Sequence, residues 1–159
     1  MCSTKNGASA LGLQKLLGLG SYETAWTWLH KLRRAMVVPG RDKLSGEVEV
    51  DETYVGGEEP GLRGGRAKGK KVLVAIAVEC RGTGSGRLRL GRIPDVSAPS
   101  LRAFITENIL PGAVVVTDGW QGYAPIAKVG YGHRRISIRA SPQNASQLLP
   151  RVHRVAALL

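Results

Sequence analysis

The chain contains no aspartate or glutamate after Asp118. Its last quarter therefore cannot supply a third carboxylate to an acidic site built upstream. Cysteine is scarce too: Cys2 and Cys80 are the only two, and no C-x-x-C pair occurs. That excludes a zinc ribbon within these residues and any disulfide framework. No stretch approaches the ~20 continuous apolar residues of a membrane span, so no membrane partner is expected. The start Met1-Cys2-Ser3-Thr4-Lys5 lacks the apolar run of a signal peptide. The glycine-rich stretch 56–71 matches no nucleotide P-loop, and no internal repeat is visible. A reducing cytoplasm is the expected compartment.

The 159 residues, 43% of them hydrophobic, suit one main domain with a small N-terminal module. A division near residue 45 is expected: a helical segment with its linker over 1–45, and a core domain over 46–159. The net charge of +11 and an isoelectric point near 10.3 point to a polyanionic partner, most simply nucleic acid. A solvated basic surface is the plainer alternative. The charge is uneven, because Lys128, Arg134, Arg135, Arg139, Arg151 and Arg154 stand in an acid-free C-terminal stretch. A clustered basic face of this kind steers a phosphate backbone.

Two helices are expected over residues 7–37, parted by Gly18-Leu19-Gly20. Ser21 is a natural N-cap for the second, with Glu23 in its first turn. Ala25, Trp28, Leu29, Leu32 and Met36 share one face of that helix at helical spacing. Thr27, His30, Lys31 and Arg34 lie on the other, as candidate DNA contacts of a helix-turn-helix. An ordinary helical hairpin would show the same pattern. The segment 56–71 brings Arg66, Lys68, Lys70 and Lys71, a flexible basic connection able to touch a nucleic-acid backbone.

Downstream, Glu47–Val55 reads as a strand, and Val72–Val78, apolar on both faces, as a central one. Arg87–Ile93 alternates strictly, as in a strand with one wet, basic face. A helix over about 98–108, a buried strand over 113–117 and a helix over about 121–128 follow. His133–Arg139 reads as an edge strand, and a last helix runs from Ser146 to Leu159 with Pro150 in its first turn. Its inward face is Val152, Val155, Ala156 and Leu159. This α/β order, βββαβαβα, fits a ribonuclease-H-like mixed sheet preceded by a small helical, helix-turn-helix-like segment.

Asp51 lies in the first strand and Asp118 ends the fourth. If those strands pair in parallel the two carboxylates become neighbours, and their like charges favour a cation between them. Mg²⁺ tolerates several waters and needs only two or three protein ligands. A salt bridge, or a helix cap for Asp118, is the duller alternative for each. With no later acid, His153 is the leading third group, as a weak ligand better suited to Mn²⁺ or as a general acid. His133 and Asn144 are its rivals. Glu49 shares the face of Asp51 and Glu52 points the other way, so Glu49 either assists the site or pairs with an arginine. Trp120 and Tyr123 read as core residues rather than base-stacking ones.

The run Gly46-Glu47-Val48-Glu49-Val50-Asp51-Glu52-Thr53-Tyr54-Val55-Gly56-Gly57 resembles the first catalytic motif of bacterial insertion-sequence transposases of the ISXO type, members of the DDE superfamily. Val116-Thr117-Asp118-Gly119-Trp120-Gln121-Gly122-Tyr123 is similar to their second motif, and Leu149–Leu159 to the helix bearing the third catalytic group. That group varies in the family among Glu, Asn and His. The resemblance implies a ribonuclease-H-like catalytic core in which Asp51, Asp118 and His153 bind Mg²⁺ or Mn²⁺. It also implies hydrolysis and strand transfer at transposon ends in DNA transposition and recombination, by a homo-oligomer associated with the bacterial nucleoid. Family members usually begin with a cysteine-rich zinc ribbon and continue past the third catalytic helix, so the chain is expected to be truncated at both ends. A catalytically inactive DNA-binding remnant and a stand-alone metal nuclease are the competing expectations.

Overall fold

The computed structural model describes residues 8–35, 40–56, 69, 71–137 and 144–159, with only the backbone of 145 and 146. Cys2, Met36, Arg66, Lys68, Lys70 and Arg139 lie outside the described residues. The chain forms two compact units, divided after Arg41.

The first unit is a helical hairpin, α1 (Ala10–Leu17) and α2 (Tyr22–Ala35). Ser9 caps α1 by accepting the Gly12 amide, and Gly18, at φ 62°, ends it in the left-handed region. The Ser21 hydroxyl accepts the Thr24 amide at 3.4 Å, as its N-cap role requires. The contact between the helices is narrow: Ala10, Leu13, Ala25 and Leu29 are buried, whereas Trp28 is 50% and Leu32 36% exposed. Helical spacing put all four α2 residues on one face. However, α1 spans only eight residues and covers just a strip of that face.

The second unit is a five-stranded sheet in the order β3-β2-β1-β4-β5. The strands are β1 (Glu47–Val55), β2 (Val72–Arg81), β3 (Gly84–Arg92), β4 (Val114–Thr117) and β5 (Gly132–Arg135). β1, β2 and β3 form an antiparallel meander, while β4 runs parallel to β1 and β5 parallel to β4. This is the mixed sheet expected of a ribonuclease-H-like fold. Helix α3 (Ala98–Asn108) and a 3₁₀ helix (Gln121–Val129) cover one face. There Val48, Val50, Leu73, Ala75, Ala77 and Val115 meet Leu101, Phe104, Ile105, Tyr123 and Ile126. The other face carries a smaller cluster, in which Ile76, Val78 and Val116 pack against Leu149 and Val152.

Besides β5, which ends at Arg135 before Ile136 and Ser137, three elements differ from the sequence reading. The segment after Trp120 is 3₁₀ rather than α, with Pro125 inside it. Proline lacks the amide an α-helix needs there. The last helix is split into α4 (Ala145–Leu148) and α5 (Pro150–Ala156), because Pro150 starts a new helix at its first position instead of lying in the first turn of a longer one. Val152 is buried, but Leu159 is 50% exposed and lies beyond α5.

The third difference concerns β3. Its alternation is real, but the wet side bears leucines: Leu88 and Leu90 are 40% and 44% exposed. Arg89 pairs with Ala77, whose side chain faces α3, and donates to the Asp42 carbonyl. Arg87 is half-buried, and its guanidinium contacts both oxygens of Glu79, the shortest contact being 2.6 Å. Glu79 is 3% exposed and also accepts the Ser45 and Arg87 amides. The Arg87 hydrogen bond outweighs burial and holds the Glu79 carboxyl down at about 2.

Candidate active site

β1 alternates strictly across the sheet, so Glu47, Glu49 and Asp51 point to the α5 side while Val48, Val50 and Glu52 point to the α3 side. Parallel pairing sets Glu49 opposite Val116. Continued two residues along both chains, that register would set Asp118, one residue past the end of β4, opposite Asp51. β4 ends at Thr117, and Gly119, at φ 84°, turns the chain away in a conformation that suits glycine. In that turn Asp118 Oδ1 accepts the Trp120 amide at 2.9 Å.

α5 reaches the same region from the far end of the chain. Leu149 and Val152, both fully buried, dock it on Ile76, Val78 and Val116. A side chain of this kind gains about 1.5–3 kcal/mol on full burial. The next residue, His153, then sits with Nε2 3.6 Å from Asp51 Oδ2. That nitrogen is buried and has no hydrogen-bond partner among the described residues. The structure thus brings His153 to Asp51. His133 is held elsewhere, its Nε2 3.0 Å from the Thr117 hydroxyl, and burial together with Arg135 lowers its pKa. Asn144 is exposed ahead of α4, where its backbone amide donates to Gln147.

Glu49 has an arginine partner, as one of its two sequence readings required: Arg151 Nη1 donates to Oε1 at 2.7 Å. Its other oxygen, Oε2, accepts the backbone amides of Arg151 and Val152 at 2.8 and 3.1 Å. On the opposite face the Tyr123 hydroxyl, fully buried, donates to Glu52 Oε2 at 2.7 Å. Burial, and after it the negative charge of Glu52, Asp51 and Asp118, pushes the Tyr123 pKa well up. Three carboxylates therefore bear on one neutral phenol. Trp120 packs on the same core and donates Nε1–H to the Val96 carbonyl. Gly122 fits beneath it only because a Cβ there would come within 2.7 Å of the indole nitrogen.

Among the described residues, no three His, Cys, Asp or Glu side chains stand close enough together to hold a metal ion. What exists is a two-member set, Asp51 with His153, and a second carboxylate, Asp118, one residue past the end of the next strand. The arginine partner of Glu49 and the core position of Tyr123 were read from the sequence, but the backbone amides held by Glu49 and the Tyr123–Glu52 hydrogen bond were not. Their only signal was position: Glu49 is two residues before Asp51 on one strand, and Tyr123 follows Asp118 in a motif.

The candidate DNA contacts of α2, Thr27, His30, Lys31 and Arg34, are all exposed. The His30 ring lies 4.0 Å from that of Trp26, centroid to centroid, and Lys31 Nζ stands 5.9 Å over Trp28. Lys71 is half-buried just before β2. No helix among the described residues is long and apolar enough to cross a membrane. Residues 43–159 match the family described as ISXO2-like transposase domain. No curated protein and no solved structure matches the chain.

Proposed function

The chain belongs to the ISXO2-like transposase domain family, and on that premise we propose that it is a DNA transposase core acting at insertion-sequence ends. It hydrolyses a phosphodiester to free a 3′-hydroxyl and joins that hydroxyl to target DNA, with two or more copies needed to cut paired ends. One observation supports this reading: a buried imidazole nitrogen, with no hydrogen-bond partner among the described residues, faces Asp51 at 3.6 Å. A nitrogen lone pair or N–H buried without a partner costs free energy unless a ligand completes it.

The donor set of two carboxylates and an imidazole fits Mg²⁺ or Mn²⁺, ions that keep several waters and ask for few protein ligands. Asp51, Asp118 and His153 are the residues to hold it. When bound, such a cation supplies Lewis acidity at the scissile phosphate. The chain's own groups orient and neutralise. Asp51 and Asp118 fix the negative edge of the site, and His153 holds a proton at Nε2 for the departing oxygen when it is not a ligand. Arg135 and Arg154, both exposed, bind the flanking phosphates. The exposed cations of α2, with Lys71 and the Arg66, Lys68 and Lys70 segment, extend the DNA contact.

A second reading, a DNA-binding remnant without chemistry, draws on the absence of a closed three-ligand group among the described residues. The two separate in a strand-joining assay on labelled transposon-end DNA with Mg²⁺ or Mn²⁺. The enzyme reading expects joined product that disappears in Asp51→Asn. Salt-sensitive binding with no cleavage in either metal would leave the remnant.

A further inference from the structure

We propose that Glu49 is a positioning residue, which seats His153 by accepting the first two backbone amides of α5. The inference rests on the reading of His153 as a site residue. Glu49 is only 3% exposed, in the middle of β1 between β2 and β4. A carboxylate there loses its hydration and persists only with strong partners. Three of its partners are on one short element, the Arg151 amide, the Val152 amide and the Arg151 guanidinium, and the Cys80 thiol of β2 adds a long contact at 4.0 Å.

α5 needs this contact. Its N-cap is Leu149, whose side chain forms no capping hydrogen bond, and its first residue, Pro150, has no amide. The two amides that follow would be orphaned at a helix start, and Glu49 accepts both. The role that serine or aspartate usually plays from within the helix is supplied from a strand. Arg151 tightens the seat by reaching past Glu49 to the carbonyls of Gly82, in the turn after β2, and Gly84, at the start of β3, at 2.6 and 2.9 Å.

The consequence for the site is geometric. Asp51 is two residues beyond Glu49 on the same face of the same strand, and His153 is one residue beyond Val152. The span from Asp51 through Glu49 and Val152 to His153 is therefore a closed frame, in which a strand carboxylate fixes the helix and its neighbour meets the imidazole. A change in the reach of Glu49 shifts the ring relative to Asp51 without touching either residue.

Two variants separate reach from charge. Glu49→Gln keeps an acceptor at full length and loses the negative charge, whereas Glu49→Asp keeps the charge and is one methylene shorter. In the full chain loaded with Mn²⁺, pulsed electron paramagnetic resonance reads ¹⁴N modulation from a coordinated imidazole, which His153→Ala should abolish. The expected result is that Glu49→Gln retains the modulation and Glu49→Asp loses it. In the metal-free chain, the Arg151 and Val152 amides of Glu49→Asp should exchange with solvent at least about tenfold faster than in Glu49→Gln, as expected when the hydrogen bonds they donate to residue 49 are released. A general loss of stability would affect both variants and the sheet amides alike. Modulation and slow exchange kept in the Asp variant but lost in the Gln variant would make charge the determinant and overturn the proposal. If the unsubstituted chain shows no ¹⁴N modulation while the exchange pattern holds, the seating stands and His153 loses its assignment as a metal ligand.

Discussion

The two faces of the sheet are built from the same strands with opposite materials. Toward α3, β1 contributes Val48 and Val50, and the cluster around them includes Leu101, Phe104, Ile105, Tyr123 and Ile126, continuous and apolar. Toward α5 it contributes Glu47, Glu49 and Asp51, and the apolar cluster there reduces to Ile76, Val78, Val116, Leu149 and Val152. The first face holds the larger share of the buried apolar side chains. The second holds one short helix with a few side chains and a carboxylate clamp, and places its reactive groups at the margin. Stability and chemistry are thus separated by the two-residue period of the strand, and substitutions on the two faces should affect different observables.

The largest expected effect falls on the α5 face and leaves the fold untouched. Asp51→Asn, or Asp118→Asn, should lower strand cleavage roughly a thousandfold or more, the scale on which one member of a catalytic unit acts. Thermal stability should stay within about 0.5 kcal/mol or rise, since a like charge is removed from a crowded acidic site. Calorimetry together with a cleavage assay reads both quantities. A destabilisation above about 2 kcal/mol would mean that these carboxylates belong to the structural inventory, and the division of the faces would collapse.

Core substitutions sharpen the same contrast from the other side. Leu101→Ala, at a fully buried position of α3, should cost about 3 kcal/mol through lost transfer energy and the cavity left behind. Val152→Ala on α5 deletes less and should cost about 1–2 kcal/mol, yet it should also reduce cleavage because His153 is the next residue. Denaturant titrations of the two variants, with activity measured at a temperature where both are folded, show whether the smaller stability loss carries the larger functional one.

Much of this arrangement was legible in sequence, for physical reasons that also show where legibility stopped. An apolar run ending in Asp118 and an alternating run containing Asp51 announce strands, and their parallel pairing follows once a helix connects them. The β3 alternation announced two unlike faces, but period alone does not say which of them is covered. At an edge strand α5 does not cover, Leu88 and Leu90 stayed in water while Arg87 found Glu79. The break before Pro150 was hidden because proline suits either the first turn of one helix or the start of another. Glu49 was hidden more deeply. An arginine partner was anticipated, but two further partners are backbone amides a hundred residues away, and backbone amides leave no mark in a sequence.

Glu79 probes the edge of the comparison, since it is a buried charge that serves structure. Its ordinary value of 4.5 is depressed to about 2 in the folded chain, chiefly by Arg87. A carboxylate whose folded pKa lies below its unfolded one contributes stability in full above the unfolded value, and that stability is lost as pH falls through the folded value. Unfolding midpoints measured between pH 6 and pH 2 should therefore fall most steeply below 4.5. In Glu79→Gln the fall should be shallower and the neutral-pH midpoint lower, because the Arg87 guanidinium loses its carboxylate. An unchanged acid limb in the variant would assign the loss to other carboxylates.

Arg134 and Glu47 make the mildest test. Their 2.6 Å ion pair links β5 to β1, but the side chains are 55% and 38% exposed. At that exposure solvent and salt screen the attraction, and fixing two long side chains offsets most of what remains. Arg134→Ala should therefore change folding stability by less than about 0.5 kcal/mol. If Arg134 contacts DNA, the same variant should weaken binding and lower the salt dependence of the affinity by about one phosphate contact. Equilibrium unfolding set beside binding isotherms at several salt concentrations distinguishes the roles. A stability cost well above 1 kcal/mol with an unchanged salt slope would make this pair a strut like Glu79–Arg87, and the charged residues of the α5 face would then serve the fold as much as its chemistry.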